Sequence, residues 1–253
     1  MKYEAVIADI DGTLVRYQPT FADLSKADAL IRESTIDAVN RLHNIGIKVV
    51  AMTGRTFEQS KDILVSLGIE GPCAFAGGAT IRLIPSGDIL HESSLESKTV
   101  QIVFDSLFSV LGNEYPIECA PSETNTGLYN SLWIIVDKNK VTALNEKLSL
   151  IDEIYFVVND GAGKEHESGV LVLNKDADKG TGTKRLQTLL KTTRANTACV
   201  GDGANDVLMF RECGLSVAMG NGEEVLKNVA DHVVASIEED GFAEAVDIIV
   251  SSK

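Results

Sequence analysis

Short β-branched apolar runs alternate with helix-period stretches at both ends of this chain, and the alternation stops in the middle. The runs are 6–8 ("VIA"), 47–52 ("IKVVAM"), 73–77 ("CAFAG"), 198–202 ("ACVGD"), 215–219 ("LSVAM") and 232–235 ("HVVA"). Amphipathic stretches at 34–46, 56–68, 179–191 and 205–214 lie between most of them. Strands that are apolar throughout, rather than at every second residue, are those buried on both faces. Separated by helices, they predict an α/β fold with a doubly wound parallel sheet, Rossmann-like in its layering. Ser34 and Thr56 read as helix N-caps, with Asp37 and Gln59 three residues on. Gly46, Gly68 and Gly214 read as helix stops.

The middle of the chain has a different rhythm. "IRLIPSGDILHE" (81–92) reads as a hairpin around Pro85-Ser86-Gly87. A helix follows at about 97–111, then strands at 131–137, 154–159 and 168–174, with a helix at 139–149 between the first two. That order suits an α+β layer on a mostly antiparallel sheet. Because the α/β rhythm resumes at Lys179, the layer is inserted in the core rather than appended to it. The expected division is a core of 1–81 and 176–253 with an inserted α+β cap domain at 82–175. Residues 15–33 form a long polar connection with helical character at 22–32, and long connections in compact domains are often lids.

Charge narrows the partners. With 23 basic and 37 acidic residues the net charge is −14, which argues against nucleic acid or an anionic membrane as partner. An anionic substrate would need local attraction from a metal ion, a lysine or a helix N-terminus. The cysteines, 73, 119, 199 and 213, form no CxxC pair, so neither zinc nor a disulfide framework is expected, and Cys73 and Cys199 read as core thiols. The N-terminus has no signal-like apolar region, and no run approaches the ~20 apolar residues of a membrane span. The expectation is a soluble, cytoplasmic protein, monomeric or homodimeric.

The first strand ends in Asp9-Ile10-Asp11-Gly12-Thr13. A buried carboxylate is costly unless it is paired or ligates a metal. A turn or an N-cap is one reading of the pair. An EF-hand is excluded, because its twelfth position is Thr20. The other reading is a hard-cation and phosphate site in which one carboxylate is a nucleophile and the second an acid/base. Ligands of open α/β sheets bind outside the carboxyl ends of the strands, where segments following several strands converge. "GTGTKR" (180–185) lacks the spacing of a P-loop, and "GDGAND" (201–206) is not a dinucleotide fingerprint.

With this DxDGT motif the chain resembles the haloacid dehalogenase superfamily of phosphotransferases. Thr53-Gly54-Arg55 is similar to its second motif, Lys179 in "DKG" to its third, and "GDGANDVLM" (201–209) to its fourth. The insertion falls between the second and third motifs, as in the Cof-type branch, which also resembles this chain at 217–236 and 238–246. The cap is short for that branch, nearer archaeal phosphoglycolate phosphatases in length. Where Cof-type members usually have Asn-Gly-Ala, this chain has Gly77-Gly78-Ala79.

The resemblance implies a phosphomonoester hydrolase acting on a small phosphorylated metabolite, a sugar phosphate or a phosphoglycolate-like acid. Asp9 would be the nucleophile that forms an aspartyl-phosphate. Asp11 would protonate the leaving oxygen and then take a proton from the hydrolytic water. Mg²⁺ would be held by the Asp9 carboxylate, the Asp11 carbonyl and Asp202, with Asp206 behind them or in direct contact. Thr53, the Gly54 amide, Lys179 and Asn205 would bind the non-bridging phosphate oxygens. Arg55, His91, Tyr129 and Asn130 are candidates for selecting the leaving group. A phosphomutase with the same nucleophile and a non-catalytic phosphometabolite-binding module are the rival readings.

Overall fold

The computed structural model describes residues 2–16, 31–112, 115, 117–124, 127–159 and 165–252. The connection expected to form a lid therefore lies largely outside the described residues, as does most of its expected helical part.

Five parallel strands form the core sheet: β1 (Ala5–Ala8), β2 (Lys48–Ala51), β10 (Thr197–Gly201), β11 (Leu215–Ala218) and β12 (His232–Val233), in the order β12-β11-β10-β1-β2. Every residue of β1, β10 and β11 is buried, as their uninterrupted apolar character requires. The helices of this layer are α1 (Glu33–Asn44), α2 (Phe57–Ser66), α5 (Lys179–Leu190), α6 (Asp206–Arg211), α7 (Glu224–Lys227) and α8 (Gly241–Ser251). α1 packs on α8 and α5 on α6. Thr56 caps α2 as expected: its hydroxyl accepts from the Gln59 amide, and the Gln59 side chain accepts from the Thr56 amide. Ser34 does not cap α1. The helix begins one residue earlier, behind an extended Arg32, and the Ser34 hydroxyl donates to Asp240 at 2.5 Å.

β3 (Gly71–Phe75) lies beside β2 through a parallel bridge, Met52 to Ala74. It continues antiparallel into β4 (Thr80–Ile84) and β5 (Ile89–Glu92). The expected hairpin at 81–92 is thus hydrogen-bonded to β3 rather than to the strands that follow. Those are β6 (Ile117–Pro121), β7 (Tyr129–Asp137), β8 (Ile154–Asn159) and β9 (Glu167–Asn174), a four-stranded antiparallel sheet in the order β6-β7-β9-β8. Helices α3 (Ser97–Leu111) and α4 (Lys138–Leu148) cover one face of it. Leu132, Ile134 and Val136 of β7 and Val170 and Val172 of β9 bury there with Val103, Leu107 and Leu144. This is the α+β layer that the middle of the sequence predicts.

A polar knot joins β5 to this layer. The Glu92 carboxylate accepts from the Ser122 hydroxyl (2.9 Å), the Glu123 amide (3.2 Å), both donors of Thr124 and the Asn130 amide group (2.6 Å). Burial pushes the Glu92 carboxyl up, but these donors outweigh it and hold it down at about 2 against an ordinary 4.5. A depressed carboxyl contributes stability in full above its unfolded value and loses it as pH falls toward its folded value. Thermal melts should therefore show an acid destabilisation between pH 4.5 and about 2 that Glu92→Gln removes. Parallel pH curves for the two proteins would count against this role.

Candidate active site

Asp9 follows β1 and Asp202 follows β10, adjacent parallel strands at the centre of the sheet. The chain leaves β1 toward β2 on one side and returns to β10 on the other, so both carboxylates stand at a topological switch point. The Asp9 amide continues the ladder by donating to Val200 at 3.0 Å, and the Asp9 carboxylate accepts from the Ile10 amide at 2.8 Å. Residues 10–15 then fold into a tight loop, with the Gly12 amide on the Val15 carbonyl and the Leu14 amide on the Ile10 carbonyl. Gly12 has φ of +70°, and a Cβ there would lie 2.1 Å from Asp202 Oδ2. Both the turn and the approach of the second carboxylate demand glycine.

Lys179 opens α5 behind Asp178, whose carboxylate caps the helix by accepting from the Gly180 (2.7 Å) and Thr181 (3.0 Å) amides. Its side chain is 2% exposed and runs back into the site. The ammonium lies 2.5 Å from Asp206 Oδ1 and 3.2 Å from Asp9 Oδ1. Asp206 opens α6, is fully buried, and accepts on Oδ2 from the Asp202 and Gly203 amides at 3.0 Å each. Asp202 accepts from the Thr13 hydroxyl at 3.3 Å and from the Asn221 amide group at 3.4 Å. Asn221 also donates to the Gly12 carbonyl at 2.9 Å, so it ties the first loop to the fourth motif.

Asp9, Asp202 and Asp206 each bring one carboxylate oxygen within 4.8 Å of the other two. Burial pushes the Asp9 carboxyl up to about 7; the Lys179 charge opposes this, while Asp206 and Asp11 add to it. Burial, then the charges of Asp9 and Asp206, also push Asp202 well above the carboxylate range. Lys179 is held above its ordinary value: burial works against its charge, and Asp206 and Asp9 overcome it. Three carboxylates face one buried ammonium, so the cluster carries excess negative charge on hard oxygen donors. That donor set fits a divalent cation such as Mg²⁺.

Asp11 is held differently. The Arg55 guanidinium grips its carboxylate with two donors, one at 2.7 Å from Nε and a second, shorter contact from Nη2. Arg55 is buried, its amide donates to the Thr53 hydroxyl oxygen at 3.1 Å, and its Nη1 reaches the Gln59 carbonyl at 3.4 Å. Arg55 is thus bound to the second carboxylate rather than to a substrate-selecting surface. Thr53 and Gly54 follow β2 beside this pair, and Asn205 precedes Asp206 at the start of α6. His91 pairs with Ser93, and Asn130 with Glu92 and Ser94, while Tyr129 bridges Leu95 through its backbone. These three sit at the junction of β5 with the inserted layer.

Thr13, Asn221 and the Arg55–Asp11 pair escape a reading of the sequence. So do Trp133 and Tyr155, which the inserted sheet presents toward Ala76, Ala79 and Ala177. Asn221 carried the clearest signal, a polar residue between glycines just past a core strand.

A buried carboxylate at a switch point, a buried lysine at a helix start and an α+β layer inserted in the core define a class, and comparison with known proteins names it. The chain belongs to the haloacid dehalogenase-like hydrolases, whose sequence model matches residues 6–116 and 114–246. The resemblance drawn from the four motifs is thereby borne out. It is 25% identical to a phosphoglycolate phosphatase of Methanosarcina mazei, over 100% of this chain and 99% of the relative. It is also 25% identical to the 5-amino-6-(5-phospho-D-ribitylamino)uracil phosphatase YcsE of Bacillus subtilis, over 95% of this chain and 93% of the relative. A solved haloacid dehalogenase-like hydrolase from Bacteroides thetaiotaomicron shares the fold, with a TM-score of 0.77 at 21% identity, covering 98% of this chain and 100% of that one.

Proposed function

We propose that this enzyme cleaves small phosphomonoesters through a phosphoryl group carried on Asp9. The observation that supports this best is the convergence of Asp9, Lys179, Asp202 and Asp206 on one buried point, beside a second carboxylate held by Arg55. The relatives' names bring forward two kinds of leaving group, a two-carbon acid and a ribityl-pyrimidine alcohol.

Asp9 attacks phosphorus, and the bond to the ester oxygen breaks as the new P–O bond forms. Asp11 gives its proton to the departing oxygen, so the alcohol leaves neutral. Water then attacks the aspartyl-phosphate, Asp11 takes a proton from it, and inorganic phosphate is released with Asp9 restored. Lys179 faces the attacked group with a charge that Asp206 and Asp9 keep in place, and stabilises the anionic transition state. The Gly54 amide, Thr53 and Asn205 complete the donors around the phosphoryl oxygens. Arg55 holds both oxygens of the Asp11 carboxylate, so this pair opens before an Asp11 oxygen carries a proton to the leaving group. Mg²⁺ would be held by Asp9, the Asp11 carbonyl, Asp202 and Asp206, where it would keep Asp9 ionised and screen the phosphoryl charge.

A panel of phosphorylated metabolites assayed for phosphate release tests this reading. We expect hydrolysis with Mg²⁺, silence with EDTA, and recovery when Mg²⁺ is returned; turnover indifferent to chelation would remove the metal from the account. Asp11→Asn keeps the backbone carbonyl and should retain metal binding while kcat falls by about 10²–10⁴. An unchanged kcat would show that Asp11 moves no proton.

A further inference from the structure

We propose that Asn221 is a positioning residue for the cation site: its side-chain amide holds Asp202 in the direction a small octahedral cation requires, and so sets the preference of the site for Mg²⁺ over a larger ion such as Ca²⁺. The proposal rests on the Mg²⁺-dependent reading above. It starts from a difference among the three clustered carboxylates. Asp206 accepts from Lys179 and from two backbone amides, and Asp9 accepts from the Ile10 amide and is ion-paired to Lys179. Asp202 is held otherwise. Among the described residues its carboxylate accepts from two side chains, the Thr13 hydroxyl on Oδ1 at 3.3 Å and the Asn221 amide group on Oδ2 at 3.4 Å.

Asn221 is itself fixed on every side. Its amide group has two N–H donors and one acceptor oxygen. The nitrogen donates to the Gly12 carbonyl at 2.9 Å and to Asp202, and the oxygen accepts from the Ile237 amide at 2.8 Å. A backbone N–H facing the oxygen leaves only the nitrogen end to turn toward Asp202. The glycines on either side pack the turn against other backbone. A Cβ on Gly220 would lie 2.7 Å from the Val234 carbonyl oxygen, and one on Gly222 would lie 2.8 Å from the Asp202 carbonyl oxygen. The Gly220 amide donates to the Ala235 carbonyl at 3.0 Å, and the Gly222 amide to the Met219 carbonyl at 2.9 Å. The turn is thus wedged between the segment after β12 and the fourth motif.

The anchoring continues into the first loop. Glu238, next to Ile237, accepts from Arg16 Nε at 2.9 and 3.0 Å. The loop that carries Asp11 is therefore tied at Gly12 by Asn221 and just past Val15 by Arg16. The oxygen Asn221 reaches, Asp202 Oδ2, is the one that would lie 2.1 Å from a Cβ on Gly12. Asn221 thus stands where that loop meets Asp202, and one side chain couples two of the groups assigned to the cation. Mg²⁺ demands near-ideal octahedral geometry, whereas Ca²⁺ accepts a variable number of ligands in flexible arrangements. A carboxylate left free to swing therefore costs Mg²⁺ more than Ca²⁺. Hydrogen bonds that orient a ligating carboxylate act on metal affinity in this way.

Titration calorimetry of the substrate-free enzyme with Mg²⁺ and, separately, with Ca²⁺ tests the proposal. Asn221→Ala should weaken Mg²⁺ binding by roughly 10-fold and Ca²⁺ binding far less, so the ratio of the Ca²⁺ Kd to the Mg²⁺ Kd falls. Asn221→Asp keeps the shape of the side chain and the acceptor for the Ile237 amide, but brings no N–H to Asp202. Its added charge attracts both cations, and the same fall in the ratio is expected. Thermal melts of the metal-free proteins show which variants are folded, and Asn221→Asp decides the matter if Asn221→Ala is not. An unchanged ratio in a folded variant, whether both affinities drop or neither does, overturns the proposal and spares the phosphatase reading. Loss of the fold in both variants overturns it too, because Asn221 would then be structural. If the native enzyme binds no Mg²⁺ and hydrolyses phosphomonoesters without it, the metal part of that reading falls and the proposal with it.

Discussion

Asp9→Asn should abolish phosphate release from every substrate while leaving the fold intact. The amide is isosteric, can still accept from the Ile10 amide, and removes a charge from a cluster that already holds too many. Stability of the metal-free protein should therefore be unchanged or increased. Burial pushes the native carboxyl up to about 7, so the folded state already carries it at a cost. A cost of this kind is expected at a functional group rather than at a structural one. Retained turnover in Asp9→Asn would refute the nucleophile assignment. A large loss of stability would mean that Asp9 is structural instead.

Lys179→Met should damage both stability and activity. The ammonium is buried between Asp206 at 2.5 Å and Asp9 at 3.2 Å, and its removal leaves carboxylates buried without a partner. Breaking one side of such a pair costs ~3–5 kcal/mol, which denaturant melts of the metal-free protein would register. The loss should be smaller at pH 5 than at pH 8, because Asp9, already pushed up to about 7, takes up a proton more readily at the lower pH. Mg²⁺ should restore part of the stability by supplying charge. It should not restore kcat, which falls by about 10²–10³ when a preorganised donor to the transition state is lost. A variant that melts like the native protein at both pH values would show that Lys179 is solvated in solution.

Local pattern made the strands and most helices legible. β1, β2, β10 and β11 announce themselves because a strand covered on both faces must be apolar at every position. The helix read at 97–111 is Ser97–Leu111, and the strand read at 168–174 is Glu167–Asn174. Asp9 and Asp11 were legible because two carboxylates after a buried strand need a chemical reason. What escaped depends on partners far away in the chain. Ser34 has the spelling of a cap, yet Asp240, 206 residues later, takes its hydroxyl. The stretch at 205–214 yields only Asp206–Arg211 as helix, because its end bends into β11. Arg55 is one residue past Gly54 in sequence, but only the folded sheet places it against Asp11, 44 residues back. Trp133 and Tyr155 belong to strands that alternate faces, and alternation cannot tell which face will meet another layer.

The account stands on one covalent event, so trapping that event tests it most directly. Enzyme mixed with substrate and Mg²⁺ would be acid-quenched within milliseconds and treated with borohydride, which reduces an acyl phosphate to the alcohol. Peptide masses would then locate the reduced residue. The account predicts homoserine at position 9 alone, absent without substrate and absent in Asp9→Asn. Rapid phosphate release with an unmodified Asp9 peptide, or label on any other residue, would contradict it.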